Sequence, residues 1–342
     1  MTATDNPFDN GNPPTYYIPD VEFDATPELQ RIYHRGASEI SSPTAVYAVA
    51  LANAASHIRP GVLTPLGHEP NLFVGISTAS VVAGGKSTTL SLGNRVLPPA
   101  GKYCDGTWQG FARVLSERQN WEVLEGKRKF PGLDLQLDST FSIRRHLFAH
   151  GIPAAEQFKA MYDSGAIVHK QYGMDAGTYR FTVREAIYPA TISGWLFTQR
   201  AVTEGLTTRF LFADACGVDN ARETEFMDAD QLRQWKEPAP LPTPDWSSVP
   251  DGPLACPLAA KADKARYDDP STSGFDKAMI RLRFIVATAH ASLHSRTRIT
   301  DDDWNWTAHP MEVSRSIAAY KFEKARDVWT WRGKKPNLRK RS

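Results

Sequence analysis

The pattern of apolar and polar residues predicts alternating helices and short strands over most of the chain. The run from Leu72 to Ile76 is wholly apolar, as in a strand buried in a parallel sheet, and a glycine-rich loop and the segment STTLSLGNRVL follow it. Upstream, Ser42 and Pro43 are a typical N-cap and first residue of a helix that ends at Pro60-Gly61. Helix, strand, loop and helix in this order predict an α/β fold.

Three further segments are predicted to complete the sheet. GLDLQLDS, beginning at Gly132, alternates apolar and polar residues, and FSIRRHLFAHG after it reads as a helix that Gly151 stops. ATISGWLFT (190–198) and TRFLFADA (208–215) are rich in β-branched and aromatic residues, which favour strands.

The C-terminal part has a different pattern. Seven prolines lie between Pro238 and Pro257, which predicts an extended connector without regular structure. FDKAMIRLRFIVATAHASLH is periodic over its whole length and predicts a long helix. Thr300 is expected to cap a second helix that runs to Trp329, with three aspartates in its first turn that suit the helix dipole.

The first 23 residues are dominated by Pro, Asn, Asp and Gly and are expected to form a flexible leader. Together these patterns predict an α/β core with helical segments at both ends. The expected division is a leader at 1–23, an N-terminal helical segment at 24–70, the core at 71–236, a proline-rich connector at 237–271, a C-terminal helical segment at 272–331 and a basic tail at 332–342.

Composition restricts the setting more than the activity. The net charge of +2 over 342 residues gives no strong global field, so nucleic-acid binding would need a local basic patch. Three cysteines are too few and too scattered for a disulfide framework or a zinc knuckle, which favours a reducing cytoplasm. There is no signal-peptide pattern and no apolar run near the ~20 residues of a membrane span, so we expect a soluble protein without a membrane partner.

The loop after the first strand carries the main candidate chemistry. In the phosphate-loop pattern G-x-x-x-x-G-K-[ST], Gly85, Lys86 and Ser87 match the second half, whereas Ser80 stands in place of the first glycine. Backbone N–H groups would face the β-phosphate of ATP, Lys86 would reach its β and γ oxygens, and Ser87 would hold Mg²⁺. The alternative is a glycine-rich turn before a helix with a surface lysine. The predicted nucleotide-binding residues are Ser80, Gly84, Gly85, Lys86, Ser87 and Thr88.

A hydrolysing P-loop enzyme also needs an acidic residue at a strand end to organise Mg²⁺, often beside a glutamate that orients water. Asp138 is the predicted metal carboxylate, and Ser139 next to it is too weak a base to replace the glutamate, so slow turnover is expected. If Asp138 is misplaced, Asp214 and Glu185 are the next candidates. The alternative for this segment is a solvent-facing amphipathic strand.

Other motifs are weaker. His146 with His150 and His290 with His294 each share a helix face, but neither pair has the glutamate of H-E-x-x-H, so a metal site there is not favoured. The tail RGKKPNLRKRS could contact phosphates of a nucleic acid or could merely be a solubilising end. Its candidate nucleic-acid residues are Arg332, Lys334, Lys335, Arg339, Lys340 and Arg341.

FDATPELQRIYHRGASEISSPTAVYAVALANAASHIRPGV followed by EPNLFVGISTASVVAGGKSTT resembles the start of the primase-associated P-loop ATPases of actinobacterial plasmids, integrated elements and phages. The resemblance continues through LDSTFSIRRHLFAHG, SGWLFTQRAVTEGLTTRFLFADA and MIRLRFIVATAHASLHSRTRITDDDWNWTA. It covers most of the chain from Phe23 to Ala308, and its specific motifs are the phosphate loop and TTRFLF.

This resemblance implies ATP binding with Mg²⁺ and a helicase-like or replication-initiation role beside a primase, usually in an oligomer. It also implies that Asp138 is the acidic Mg²⁺ residue and that Arg209 is a γ-phosphate sensor or arginine finger. The chain departs from the family at Ser80, where the family has glycine, and at Ser139, where the family has glutamate, and both departures weaken hydrolysis more than fold.

With this motif and this resemblance, the expected fold class is a P-loop NTPase-like α/β core of the RecA or AAA type, with N-terminal and C-terminal helical segments. The sequence therefore predicts an ATP-binding, helicase-like protein of a mobile element or phage with weak or absent hydrolysis. Its expected partners are DNA, single-stranded in the main interpretation, or a primase or other replication protein, and it is expected to be a homo-oligomer. The alternative is a degenerate P-loop module that binds a protein or nucleic-acid partner without turnover. An ordinary phosphotransferase is a third, weaker reading.

Overall fold

The computed structural model describes residues 6–39, 41–78, 85–100, 102–103, 132–137, 159–166, 175–187, 196–197, 199–215, 230, 236 and 239–333. Within these ranges the helices are α1 (Pro27–Ser38), α2 (Pro43–Ser56), α3 (Lys86–Val96), α4 (Gln199–Thr203), α5 (Lys261–Asp268), α6 (Gly274–Leu293), α7 (Asp301–Trp306) and α8 (Ala308–Gly333). The strands are β1 (Val62–Leu63), β2 (Phe73–Ser77), β3 (Lys102–Tyr103), β4 (Gly132–Leu137), β5 (Arg180–Ala186), β6 (Phe210–Asp214) and β7 (Gly252–Pro253). None of the helices in these ranges is both long and apolar enough to cross a membrane.

Five of the strands form a parallel sheet with the order β3-β4-β5-β2-β6. Phe73 pairs with Val183 on one side and Phe210 on the other, so β2 is a central strand. Because all strands run the same way, their carboxyl ends meet at one edge, which is where ligands bind in open α/β sheets. The mixed α/β architecture and the strands predicted at Leu72 to Ile76, in GLDLQLDS and in TRFLFADA are confirmed.

Helix α2 is the centre of the helical layer. All 14 of its residues are buried, because it packs against α1, α3 and α6 and also against strands of the sheet. A helix that is apolar all round requires such a position. Pro43 occupies its first turn after Ser42, as predicted, although the Ser42 side chain makes no capping hydrogen bond.

The sheet contains two strands that the hydrophobic pattern did not predict, the two-residue β3 and the central β5. Strand β5 lies between β2 and β4 and carries Arg180, Arg184 and Glu185 in fully buried positions. A central parallel strand is normally recognised by a continuous apolar run, and the charged residues of β5 interrupt that run. The strand predicted at 190–198 is not supported where it can be inspected, because Leu196 and Phe197 form a turn before α4, and residues 188–195 and 198 lie outside the described ranges.

The N-terminal residues also differ from the flexible leader that was expected. Phe8 and Ile18 are buried in the main core. Arg315 of α8 donates from Nε to the Phe8 carbonyl at 2.8 Å, and the Thr15 N–H donates to Ser316 Oγ at 2.9 Å. Residues 6–23 are therefore packed along α8, because a few apolar anchors and backbone hydrogen bonds compensate for the polar composition.

The C-terminal helices follow the predicted pattern with one break. Thr300 caps α7 through a capping box with Asp303, as the sequence indicated for this position. The predicted single helix is divided at Thr307, and Pro310 gives the reason: it has no N–H to donate to Trp306 four residues earlier, and its ring would collide with that carbonyl.

The proline-rich connector is irregular over most of 239–257, as predicted, but it is fixed to the surface of the protein. Strand β7 pairs with β1 in a second, two-stranded parallel sheet, and the Leu241 N–H donates to the Val96 carbonyl at 2.8 Å. Trp246 inserts into a small apolar cluster with Ile58 and Val62.

Gly75 in the middle of β2 allows the layers to pack closely. A Cβ atom there would lie 2.3 Å from Ile187 Cδ1 and 2.8 Å from Phe212 Cδ1. We expect Gly75→Ala to lower the free energy of unfolding by about 1–3 kcal/mol through overpacking, measured by urea denaturation. The matched control is Gly274→Ala at the start of α6, where a Cβ meets nothing within 4 Å and the midpoint should barely change. Equal effects of the two substitutions would contradict the prediction.

Candidate functional site

The second half of the predicted phosphate loop lies at the carboxyl edge of the sheet. Gly85 has φ of 67°, a left-handed conformation that glycine adopts without strain, and α3 begins at the next residue. Lys86 is only 6% exposed, whereas the side chains of Ser87 and Thr88 in the same helical turn are exposed. The buried position of Lys86 does not fit the alternative of a surface lysine. Ser80 and Gly84 lie outside the described residues.

The start of α3 is anchored to the segment before α2. Thr89 donates from Oγ1 to the Gly85 carbonyl at 2.9 Å, and its oxygen is 2.5 Å from Ser41 Oγ, which must then be the donor of that bond. Gly85 has no side chain that could cap the first N–H groups of the helix. A helix start of this kind presents N–H donors and the positive end of the helix dipole to an anion.

Two further charged groups reach this edge from other elements. Asp214 ends β6, pairs in register with Ser77 and is buried. Lys321 of α8 is 2% exposed and donates from Nζ to the Thr78 carbonyl at 3.2 Å. Burial lowers the pKa of Lys321 to about 8, nearby Asp214 raises it, and nearby Lys86 lowers it. Lysine ammonium groups from α3 and α8 thus converge with one carboxylate from β6.

Of the two reserve carboxylates, Asp214 lies at the carboxyl end of β6. Glu185 lies deeper in the sheet, on β5, where it pairs in register with Gly75 of β2. Both carboxylate oxygens of Glu185 are buried without a hydrogen-bond partner in the described part of the chain. Burial raises the pKa of Glu185 to about 8, so the group is mainly protonated at neutral pH. Glu185 therefore does not supply a carboxylate at this edge in the structure.

Asp138, the predicted Mg²⁺ residue, lies outside the described residues. Strand β4 ends at Leu137 and runs parallel to β2, from which β5 separates it. The chain therefore leaves β4 at the same carboxyl edge of the sheet at which it leaves β2. The structure adds nothing further on Asp138 or Ser139, and their roles stay predictions.

Arg209 is not brought together with Lys86. It precedes β6, and because Phe210 pairs with Phe73 at the amino end of β2, Arg209 lies at the opposite edge of the sheet. Its guanidinium is 3.4 Å from Asp163 and 5.2 Å from the centre of the Tyr162 ring. A role as sensor within the same subunit has no support from this position, and a role as arginine finger would require a neighbouring subunit.

The basic tail cannot be placed. Arg332 lies in the last turn of α8, and Lys334, Lys335, Arg339, Lys340 and Arg341 fall outside the described residues. Their proposed contact with nucleic acid stays a prediction.

The helices of the C-terminal segment form one cluster that could hold a metal ion. One ligand atom each from His290, His294 and Asp303 lies within 4.8 Å of the others, and all three residues are buried. The i, i+4 spacing of the histidines was visible in the sequence, but Asp303 joins them only because α7 folds against α6.

Protein groups already occupy this cluster. Arg296 contacts the Asp303 carboxylate with its guanidinium, and Thr26 Oγ1 lies 2.9 Å from His294 Nε2. Burial lowers the pKa of His290 well below its usual value, so the ring is neutral and suits a packed polar cluster. A guanidinium beside the carboxylate takes the place of a cation, and we assign this cluster a structural role.

No protein-family model and no curated protein matches the chain. Among solved structures, it is similar to a full-length MCM homolog from Methanopyrus kandleri, with 13% sequence identity and a TM-score of 0.40. The match covers 92% of this chain and 63% of that chain, so the chain spans less than two thirds of its length. At this level of similarity, function has to be argued from the residues of this chain.

Proposed function

We propose that the protein binds ATP at the carboxyl edge of the parallel sheet. The observation that carries the proposal is the combination of Gly85 in a left-handed conformation with the buried Lys86 at the start of α3. Among the described residues, two buried cations, Lys86 and Lys321, and one buried anion, Asp214, converge there. Buried ammonium groups beside a helix N-terminus favour an anionic ligand such as a polyphosphate.

The residues present fit ATP with Mg²⁺. The N–H groups at the start of α3 and the ammonium of Lys86 would hold phosphate oxygens. The Ser87 side chain is exposed, so its hydroxyl would be accessible to Mg²⁺. Asp138 would be the second Mg²⁺ residue, as the family resemblance implies. Bound Mg²⁺ would neutralise phosphate charge; the chain itself positions the ligand and excludes water from the buried Lys86 side of the site.

The wider role follows from the resemblance to primase-associated P-loop ATPases and is proposed on that ground. We infer a replication-associated, helicase-like protein of a mobile element or phage that acts on DNA or beside a primase as a homo-oligomer in the cytoplasm. In such an oligomer, Arg209 at the opposite edge of the sheet would serve a neighbouring subunit. The second candidate is an ATP-holding module without turnover, and Ser139 in place of a glutamate favours it.

The direct test is titration of a fluorescent ATP analogue into the full-length protein with Mg²⁺, followed by competition with unlabelled ATP. Saturable binding that ATP displaces is expected. Absence of binding would remove the nucleotide site altogether. Phosphate release under saturating Mg-ATP, with and without single-stranded DNA, then separates an ATPase from a module without turnover.

The tail provides an independent prediction about DNA. Removing residues 332–342 should flatten the dependence of single-stranded DNA affinity on salt, because each lost phosphate contact removes about 0.7 from the slope of log K against log salt. Fluorescence anisotropy across a salt series measures this slope. The control Lys261→Ala removes an exposed lysine of α5 and should leave the slope nearly unchanged. The same slope before and after removal of the tail would refute the role of the tail.

A further inference from the structure

Lys321 occupies a position that packing alone does not explain. It lies on the face of α8 that packs on the sheet, with Ile317, Ala318 and Phe322 buried around it in the core. A lysine at such a position is rare unless its charge is compensated, because the ammonium loses its hydration. Its nearest equivalent on the same helix, Lys324, is exposed to solvent.

The ammonium of Lys321 donates fewer hydrogen bonds than it has N–H groups. It has three N–H donors, and in the described part of the chain it donates one bond, to the Thr78 carbonyl at 3.2 Å. Asp214 is close enough to favour its charge. A buried cation with spare donors can bind a further acceptor.

The position of that acceptor follows from the chain path. Thr78 is the last described residue before the predicted phosphate loop, and Lys86 is the first residue of α3 after it. Lys321 therefore contacts the base of the loop that Lys86 terminates. The charge of Lys86 disfavours the charge of Lys321 and that of Asp214 favours it, so an anionic ligand near both lysines would add to the compensation that Asp214 gives.

We propose that Lys321 is a second phosphate-binding cation of the nucleotide site, contributed by the C-terminal helix α8. Its ligand is a phosphate group of a nucleoside triphosphate, so this inference rests on the proposed ATP site. Because Lys321 is part of α8, a ligand that contacts both lysines also joins the C-terminal helix to the start of α3.

The test compares ATP-analogue binding by full-length wild type, Lys321→Met, Lys321→Arg and the control Lys324→Met at pH 7. Lys321→Met should weaken binding at least tenfold, because the charge-assisted hydrogen bond from the ammonium to a phosphate oxygen is lost. Lys324→Met should bind like wild type. Thermal unfolding without nucleotide reports on the structural role of Lys321: because Lys321→Met removes a cation beside the buried Asp214, its melting temperature should fall, but the variant should still fold, and binding is compared below that temperature.

The pH dependence gives a second readout. The ammonium faces Lys86 from α3 and Asp214 from β6, and with a pKa of about 8 it is mostly charged at pH 7 and about nine-tenths neutral at pH 9. Wild-type affinity should therefore fall about tenfold from pH 7 to pH 9. Lys321→Arg stays charged across this range and should lose that pH dependence.

The outcomes are distinguishable. If wild type does not bind the analogue, the proposed function and this inference both fail. If wild type binds and Lys86→Ala weakens binding while Lys321→Met does not, the ATP site stands and the inference about Lys321 is overturned. Loss of folding in Lys321→Met, together with a pH dependence that Lys321→Arg retains, would also overturn it, because Lys321 would then be structural.

Discussion

Lys86→Ala is expected to reduce the affinity for ATP by at least tenfold while the protein stays folded. Lys86 is buried at the first position of α3, beside a glycine whose left-handed conformation turns the chain into the helix. An ammonium that donates to a phosphate oxygen contributes about 1.5–3 kcal/mol, and 1.4 kcal/mol corresponds to a factor of ten in affinity. Titration of the fluorescent ATP analogue with Mg²⁺ measures the change.

The matched control is Arg95→Met at the other end of the same helix, where the side chain is half exposed and pairs with Glu39 at 3.0 Å. This substitution removes a positive charge from α3 without approaching the loop, so ATP affinity should be unchanged. If Lys86→Ala and Arg95→Met bind ATP as wild type does, the loop is a glycine-rich turn without a ligand. A loss of affinity in both variants would point to the general charge of α3.

Arg180→Met is expected to lower the free energy of unfolding by about 3–5 kcal/mol. Arg180 is fully buried on β5, and its Nη1 lies 2.6 Å from Glu69 Oε2. Its other nitrogens donate to backbone carbonyls, to Ile58 at 2.9 Å and to Arg59 at 2.7 Å. Removing the guanidinium leaves the Glu69 carboxylate buried without its counter-ion and the carbonyls without these donors, and both changes are costly.

Urea denaturation of Arg180→Met beside Arg95→Met measures the difference between a buried and an exposed ion pair. The exposed pair of Arg95 and Glu39 should be worth about 0–1 kcal/mol. Adding Glu69→Leu to Arg180→Met should recover part of the loss, because the orphaned carboxylate is then removed as well. Similar midpoints for the two single variants would show that water reaches the ion pair between Arg180 and Glu69.

The sequence by itself determined the elements whose signals are local. The apolar run of β2, the glycine before α3, the helix α2 that begins at Pro43, the long periodic α6 and the threonine cap of α7 were all predicted near their observed positions. Each depends on residues within one or two turns, because periodicity, glycine conformation and capping act over short distances along the chain. The same local signal placed Lys86 at the start of a helix after a buried strand.

The tertiary structure decided what depends on distant partners. Strand β5 contains buried charges that a single-sequence pattern excludes, and it is possible because Glu69, from another segment, neutralises Arg180. The predicted leader gains order from its contacts with distant elements, above all α8 and α2. Lys321 reaches the base of the phosphate loop across 243 residues of sequence, because α8 packs along β6. Charge compensation and packing between elements are properties of the folded chain, so no local pattern near Lys321 could have shown that it belongs to the candidate site.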